Sequence, residues 1–255
     1  MEWRDEGLII GLRRHGETSL IVELMTRHHG RHLGIVKGGR SRRMQPLMQQ
    51  GNSVDAVWRA RLEEHLGLWQ LDVTQARASA IMDSGIALNG IGLLAELLRL
   101  LPERDPHAEL FEMALAVTGQ FGDAMMGAEL MVRFELALLA ELGFGVDLSA
   151  CAATGQRENL CYVSPKSARA VSAEAGRPYA DRLLPLPEFL LGAPGSARDW
   201  QSIESGFAMT GHFLRREVFE ARNIPSPDCR RAFVAALQRL FDRNRSEATP
   251  ISGKL

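Results

Sequence analysis

The sequence predicts an α+β protein of more than one domain, with a five-stranded N-terminal barrel followed by a helical domain that carries a small irregular insertion. Three observations lead there. The first 77 residues hold five short apolar or alternating runs separated by glycine-bearing turns. Near Ala80 the apolar period lengthens from two to that of a helix. Between about residues 147 and 177 the chain becomes short-runned, polar and glycine-bearing before helical spacing returns.

Gly7 to Leu12 is the first strand, and it ends at the charged turn Arg13-Arg14-His15-Gly16-Glu17. Ser19 to Met25, with L-I-V-E-L-M, is the second, and the β-branched run Leu33 to Lys37 is the third. Val54 to Ala60 and Gly67 to Val73 alternate at period two, as half-buried strands do. No helix separates the first three strands, which favours a small barrel or sandwich over a parallel sheet. Five strands in about 75 residues match the size of an OB-fold.

Ile81 to Leu101 places Ile86, Leu88, Ile91, Leu94, Ala95 and Leu98 at helical spacing, and Pro102 stops it. Pro106 opens a second helix with Leu110, Phe111, Ala114, Leu115, Val117 and Phe121. Ala128 to Leu142 is a third, with Gly143 as its C-terminal cap. Pro178 to Leu191 and Ala197 to Arg222 read as helix again, and Ser226 or Asp228 caps a last one to about Arg243. Residues 246–255 have a disordered composition. The expected domains are therefore 1–79 and 80–245. The Leu, Met and Phe stripes serve core packing and carry no chemistry.

An apolar content of 45% and a charged content of 24% belong to an ordinary globular protein. The N-terminus lacks the basic and apolar regions of a signal peptide, and no segment has the unbroken apolar length of a membrane span. Three cysteines, Cys151, Cys161 and Cys229, make no disulfide framework and fit a reducing cytoplasm. The net charge of −1 hides an uneven distribution. Residues 1–80 carry 12 basic and 9 acidic side chains, residues 81–150 carry 3 and 11, and residues 151–255 carry 15 and 11. The relevant electrostatic unit is thus a local patch.

That patch is Thr26 to Arg43. It holds Arg27, Arg31, Lys37, Arg40, Arg42 and Arg43 with three histidines, and no acid occurs between Glu23 and Asp55. A strand framed by cationic turns offers a phosphate-binding surface, because each neutralised phosphate releases condensed counterions. A solvated surface loop is the plain alternative. His28, His29, His32 and Trp58 are candidates to stack on bases, although a tryptophan such as Trp58 is more often a core residue. The histidines have no cysteine or carboxylate beside them to complete a metal site. The late helices are rich in arginine (Arg215, Arg216, Arg222, Arg230, Arg231, Arg239, Arg243, Arg245), with Glu217, Glu220 and Asp242 as available partners.

No phosphate-binding glycine loop, zinc-protease motif or nucleophile elbow occurs, and no carboxylate pair stands out, so the sequence gives no case for an enzyme. Cys151-Ala-Ala-Thr154 looks like half of a C-x-x-C knuckle without its second cysteine, and Ser172-Ala-Glu-Ala175 has the spacing of the other half with neither. A structural zinc needs four ligands, so no metal or other cofactor is expected.

Three collinear segments carry a family resemblance over nearly the whole chain. Gly16-Glu17-Thr18-Ser19, Thr26, Gly30, Val36-Lys37-Gly38-Gly39-Arg40-Ser41 and Leu47 form the first. Arg133 to Leu139 with Leu142-Gly143-Phe144-Gly145-Val146 form the second, and Phe213-Leu214 with Arg222-Asn223-Ile224-Pro225-Ser226 the third. Together they resemble the RecO family of bacterial recombination mediators. The resemblance implies an OB-fold joined to a helical domain, and a cytoplasmic role in DNA repair, associated with the nucleoid. It implies binding of single- and double-stranded DNA, annealing of complementary strands and, with RecR, help for RecA in replacing single-strand-binding protein. Lys37 and Arg40 match its motif. It also implies capture of the acidic, apolar tail of single-strand-binding protein, for which Arg99 and Arg133 are the candidates in the middle helices; pairing of each with a neighbouring glutamate is the plain alternative. Many members carry a four-cysteine zinc knuckle at the positions of Cys151, Thr154, Ser172 and Ala175, from which this chain departs. An OB-fold adaptor that binds RNA or protein without annealing strands is the competing class.

Overall fold

The computed structural model describes residues 1–192, 195–197 and 199–247. Its elements sort into two compact units, Met1–Gly122 and Asp123–Leu255.

The first unit is built on five strands: β1 (Glu2–His15), β2 (Ser19–Thr26), β3 (Gly30–Val36), β4 (Ser53–Arg59) and β5 (Leu68–Gln75). They close into a barrel in the order β1-β2-β3-β5-β4, antiparallel except for the β3–β5 closure, where Ile35 pairs with Leu68. This is the expected five-stranded OB topology, and it settles the choice between barrel and sandwich. Alternation does the work. β3 and β4 bury every second residue, and the inward set Ile9, Val22, Leu24, Val36, Val54, Ala56, Trp58, Trp69 and Leu71 fills the interior with Met48. β1 is longer than the apolar run Gly7–Leu12, because its first half pairs with β4 and its second with β2. A register shift between Ile9 and Gly11 lets the strand turn from one partner to the other. Leu8, Ile9 and Ile10 are all buried there.

Three helices complete this unit: α1 (Ala78–Met82), α2 (Gly85–Leu98) and α3 (Ala108–Gly119). The single helix expected over Ile81–Leu101 is two. Ser84 breaks it by capping α2, its side chain accepting from the Ala87 N–H at 3.2 Å. These helices were expected in the second domain, yet they pack with the barrel. Arg99 at the end of α2 donates to Glu23 of β2 at 2.9 Å and to the Ile10 carbonyl of β1 at 2.8 Å.

The second unit contains α4 (Ala124–Glu141), β6 (Leu160–Val163), β7 (Ala170–Ser172), α5 (Ala173–Gly176), β8 (Leu184–Pro185), α6 (Trp200–Phe213) and α7 (Asp228–Glu247). Gly143, at φ +88°, follows α4, and the Phe144 N–H reaches back to the Leu139 carbonyl, so α4 ends as its glycine predicts. The irregular insertion forms a three-stranded sheet in the order β7-β6-β8. Pro178–Leu191, expected as helix, is not one: it consists of 3-10 turns at Arg177–Arg182 and Glu188–Leu191 around β8. Pro185 and Pro187, inside the expected helix, remove amide donors that an α-helix needs. Asp199 caps α6 by accepting from the Ser202 N–H, and Leu214–Glu220 continues it as a π-helix. α7 passes the expected end near Arg243, and the remainder of the tail expected to be disordered, 248–255, lies outside the described residues.

Candidate nucleic-acid interface

The cationic run Thr26–Arg43 is continuous in sequence but not in space. β3 lies in its middle and separates its two halves by the length of the barrel, about 20 Å for six extended steps. The turn 27–29 sits at one end and the loop from Lys37 at the other.

At the first end, the charges are held inside the fold. Arg27 pairs with Glu6 at 2.7 Å and with Glu112, and its guanidinium lies over the Phe111 ring. Arg31 is only 14% exposed and donates to Glu23 at 2.7 Å and to Glu103 at 3.3 Å. Both were expected to meet phosphates, and both are instead committed to carboxylates of neighbouring elements. The Asp5 carboxylate accepts from Nδ1 of His28 at 3.0 Å and of His29 at 2.8 Å. Burial opposes ionisation of Asp5, but the hydrogen bonds from His29 and His28 outweigh it and hold this carboxyl below its ordinary value.

Of the aromatic candidates, Trp58 and His32 are internal, His29 is half-buried and His28 is exposed. Trp58 is 1% exposed and donates its Nε1–H to the Leu66 carbonyl, so the expectation that it could stack on bases is corrected to a core role. His32 is 4% exposed and meets Trp3, Trp58 and Trp69 edge-on. Burial, with the nearby Arg104, drives its pKa down to about 4. His29 is stacked flat on Trp3 at 3.9 Å.

The other end of the barrel differs. Lys37, Arg42 and Arg43 are exposed, and no carboxylate pairs with any of them among the described residues. Arg40 is held: its Nη1 donates to the carbonyls of Gly16 at 3.0 Å and Glu17 at 2.5 Å, and its backbone N–H donates to Thr18 at 3.0 Å. The loop is thereby fastened to the β1–β2 turn. Arg13, Arg14 and His15 are exposed on that same hairpin. Sequence reading treated them as a charged turn; the adjacent R-R-H letters were the available signal, but nothing local told that this turn and the Lys37 loop share one end of the barrel. Gly38, at φ +68°, supplies the left-handed turn out of β3.

The two middle-helix candidates for partner binding are also accounted for. Arg99 serves Glu23, Glu96 and the Ile10 carbonyl. Arg133 pairs with Glu129 at 2.9 Å and donates to the carbonyls of Phe189 and Gly192. Glu129 itself is buried and accepts from the N–H groups of Gly195 and Ala197, so this cluster ties those two residues and Gly192 to α4. Of the late arginines, Arg215 pairs with Glu220, Arg216 with Glu217, Arg231 with Asp228 and Arg230 with Glu135.

In the insertion, Cys151 is buried and its Sγ accepts from the Ser172 N–H at 3.2 Å. Burial pushes the thiol up, but hydrogen bonds from Ser172, Thr154 and Ala153 outweigh it and bring the pKa down to about 6. Two of the knuckle positions carry hydroxyl residues, Thr154 and Ser172, the second of which gives its backbone N–H to the sulfur, and the fourth, Ala175, has no donor atom. This donor set does not fit zinc, which takes four thiolate or imidazole ligands in a structural site.

A closed OB barrel with an acid-free cationic loop at one end, continued by a helical unit with a small antiparallel sheet, defines the class: an α+β protein built on an OB-fold. The comparisons with known proteins make it particular. Residues 1–77 match the family model "Recombination protein O N terminal" and residues 82–223 match "Recombination protein O C terminal". The chain is 55% identical over 248 residues to the DNA repair protein RecO of Methylocella silvestris, covering 97% of this chain and 100% of that one. It is 54% identical over 239 residues to the DNA repair protein RecO of Mesorhizobium japonicum, covering 94% of each. The chain belongs to the RecO family of DNA repair proteins. No helix among the described residues is long and apolar enough to cross a membrane.

Proposed function

We propose that this protein is a recombination mediator that binds single- and double-stranded DNA at the Lys37 end of its barrel and anneals complementary strands. With RecR it helps RecA load onto DNA covered by single-strand-binding protein. The observation that supports this reading is the sorting of charges: Arg4, Arg27, Arg31, Arg59 and Arg99 all have carboxylate partners, whereas Lys37, Arg42 and Arg43 have none among the described residues. Unpaired exposed cations are the ones that gain from neutralising phosphate, since no internal pair has to be broken first. Annealing needs no covalent step. Holding two strands on one cationic surface screens their repulsion and raises their effective concentration. Arg99 and Arg133 are engaged within the fold, so the tail of single-strand-binding protein is assigned to neither.

The test is a titration of a fluorescent single strand at several salt concentrations with the wild type and with Lys37→Ala/Arg42→Ala/Arg43→Ala. Three lost phosphate contacts make the slope of log K against log salt shallower by about 2. An unchanged slope rejects this surface. Binding of protein or RNA with no annealing of complementary DNA favours the adaptor class.

A further inference from the structure

We propose that Arg13 and Arg14, at the tip of the β1–β2 hairpin, form a second phosphate-contacting element, and that Arg40 works by holding this hairpin against the Lys37 loop. The proposal rests on the DNA-binding reading above and deepens it.

Arg13 pairs across the hairpin with Ile21, and Arg14 with Leu20, which in turn pairs with Val36 at the end of β3. The hairpin tip therefore lies beside the exit into the cationic loop. Neither arginine has a carboxylate partner among the described residues, and both are exposed. Adjacent residues of a strand point to opposite faces, so the pair presents charge on both sides of the tip. Only Glu17 opposes them on that turn.

Arg40 has a different task. Its guanidinium donates to two successive carbonyls, Gly16 and Glu17, and its own N–H to Thr18. Both bonds leave one nitrogen, Nη1, which the rigid guanidinium plane aims at the two carbonyls; a lysine ammonium on a shorter, flexible stem is not aimed in this way. Arg40 is a positioning residue: it fixes the spacing between the hairpin that carries Arg13 and Arg14 and the loop that carries Lys37, Arg42 and Arg43. A phosphate backbone that follows this end of the barrel meets cations from both.

The experiment uses the full-length protein and a fluorescent oligothymidylate strand. Arg13→Ala/Arg14→Ala makes the salt slope shallower by about 1.4, two contacts at about 0.7 each for a single strand. Arg40→Ala and Arg40→Lys weaken binding alike, and adding Arg40→Ala to Arg13→Ala/Arg14→Ala gives less than the sum of the two losses. Three results overturn the proposal. One is a wild-type slope in Arg13→Ala/Arg14→Ala while Arg42→Ala/Arg43→Ala is shallower, which leaves the DNA-binding reading standing. Another is wild-type affinity in Arg40→Lys, which makes Arg40 a simple charge. Absence of strand binding by the wild type at low salt rejects both readings together.

Discussion

Arg230 of α7 donates to Glu135 of α4 at 2.8 Å and again at 3.0 Å, and the carboxylate it meets is completely buried. Thr210 of α6 also donates to Glu135, so three helices of the second unit converge on one charge. A buried ion pair adds little net stability over an apolar pair, but losing one partner strands the other. Glu135→Ala therefore lowers stability by about 3–5 kcal/mol. Urea denaturation checks this, with Arg231→Ala as the control, since Arg231 makes an exposed pair with Asp228. Glu135→Ala/Arg230→Ala costs less than the two single changes summed. Equal midpoints for Glu135→Ala and the control contradict the convergence.

Arg31 separates stability from binding. Its loss leaves Glu23, itself 9% exposed, with Arg99 as its one remaining cationic partner among the described residues. Arg31→Ala is expected to destabilise by about 2–3 kcal/mol, between the costs of a lost charged hydrogen bond and of a broken buried pair. The salt slope for single-strand binding stays at its wild-type value. A shallower slope at unchanged stability would place Arg31 on the DNA surface after all.

Arg31 also shows where sequence reading stops. The barrel strands were legible because alternation is local: β4 buries every second residue in a pattern that seven letters display. The true start of β1 was not, because Glu2 is a strand residue only through its pairing with Arg59. The helix misread over Pro178–Leu191 had its apolar spacing, but two interior prolines, Pro185 and Pro187, vetoed the ladder. For the site, the letters gave the cations but not their partners. Arg27 and Arg42 look alike in the sequence; only the fold brings Glu6 and Glu112 to the first.

The cysteines test exposure against acidity. Cys151 has a pKa lowered to about 6 but is 1% exposed, whereas Cys161 is exposed. A thiolate reacts only where a reagent can reach it. Iodoacetamide on the native protein is expected to label Cys161 and leave Cys151 unmodified until urea is added. Peptide mapping by mass spectrometry reads the order. Labelling of Cys151 first under native conditions would show that the β6–β7 region opens.

His32 gives the first unit a pH dependence whose sign follows from its surroundings. Trp3, Trp58 and Trp69 enclose the imidazole, and neither ring nitrogen has a hydrogen-bond partner among the described residues. Burial and Arg104 disfavour the charged form, so the folded pKa is about 4 against an ordinary value of 6.5. Between these values the unfolded chain takes up a proton that the folded chain refuses. Stability is then full above pH 6.5 and falls as the pH drops towards 4. Between pH 7.5 and pH 5 the loss from this residue is about 2 kcal/mol. His32→Phe keeps an aromatic ring among the tryptophans and removes the titration, so its urea midpoint should change much less over that range than that of the wild type. The two midpoints diverge most near pH 7.5 if the phenyl ring packs poorly, and most near pH 5 if the titration dominates. Parallel pH profiles for the two proteins would show that His32 takes up its proton without unfolding the barrel.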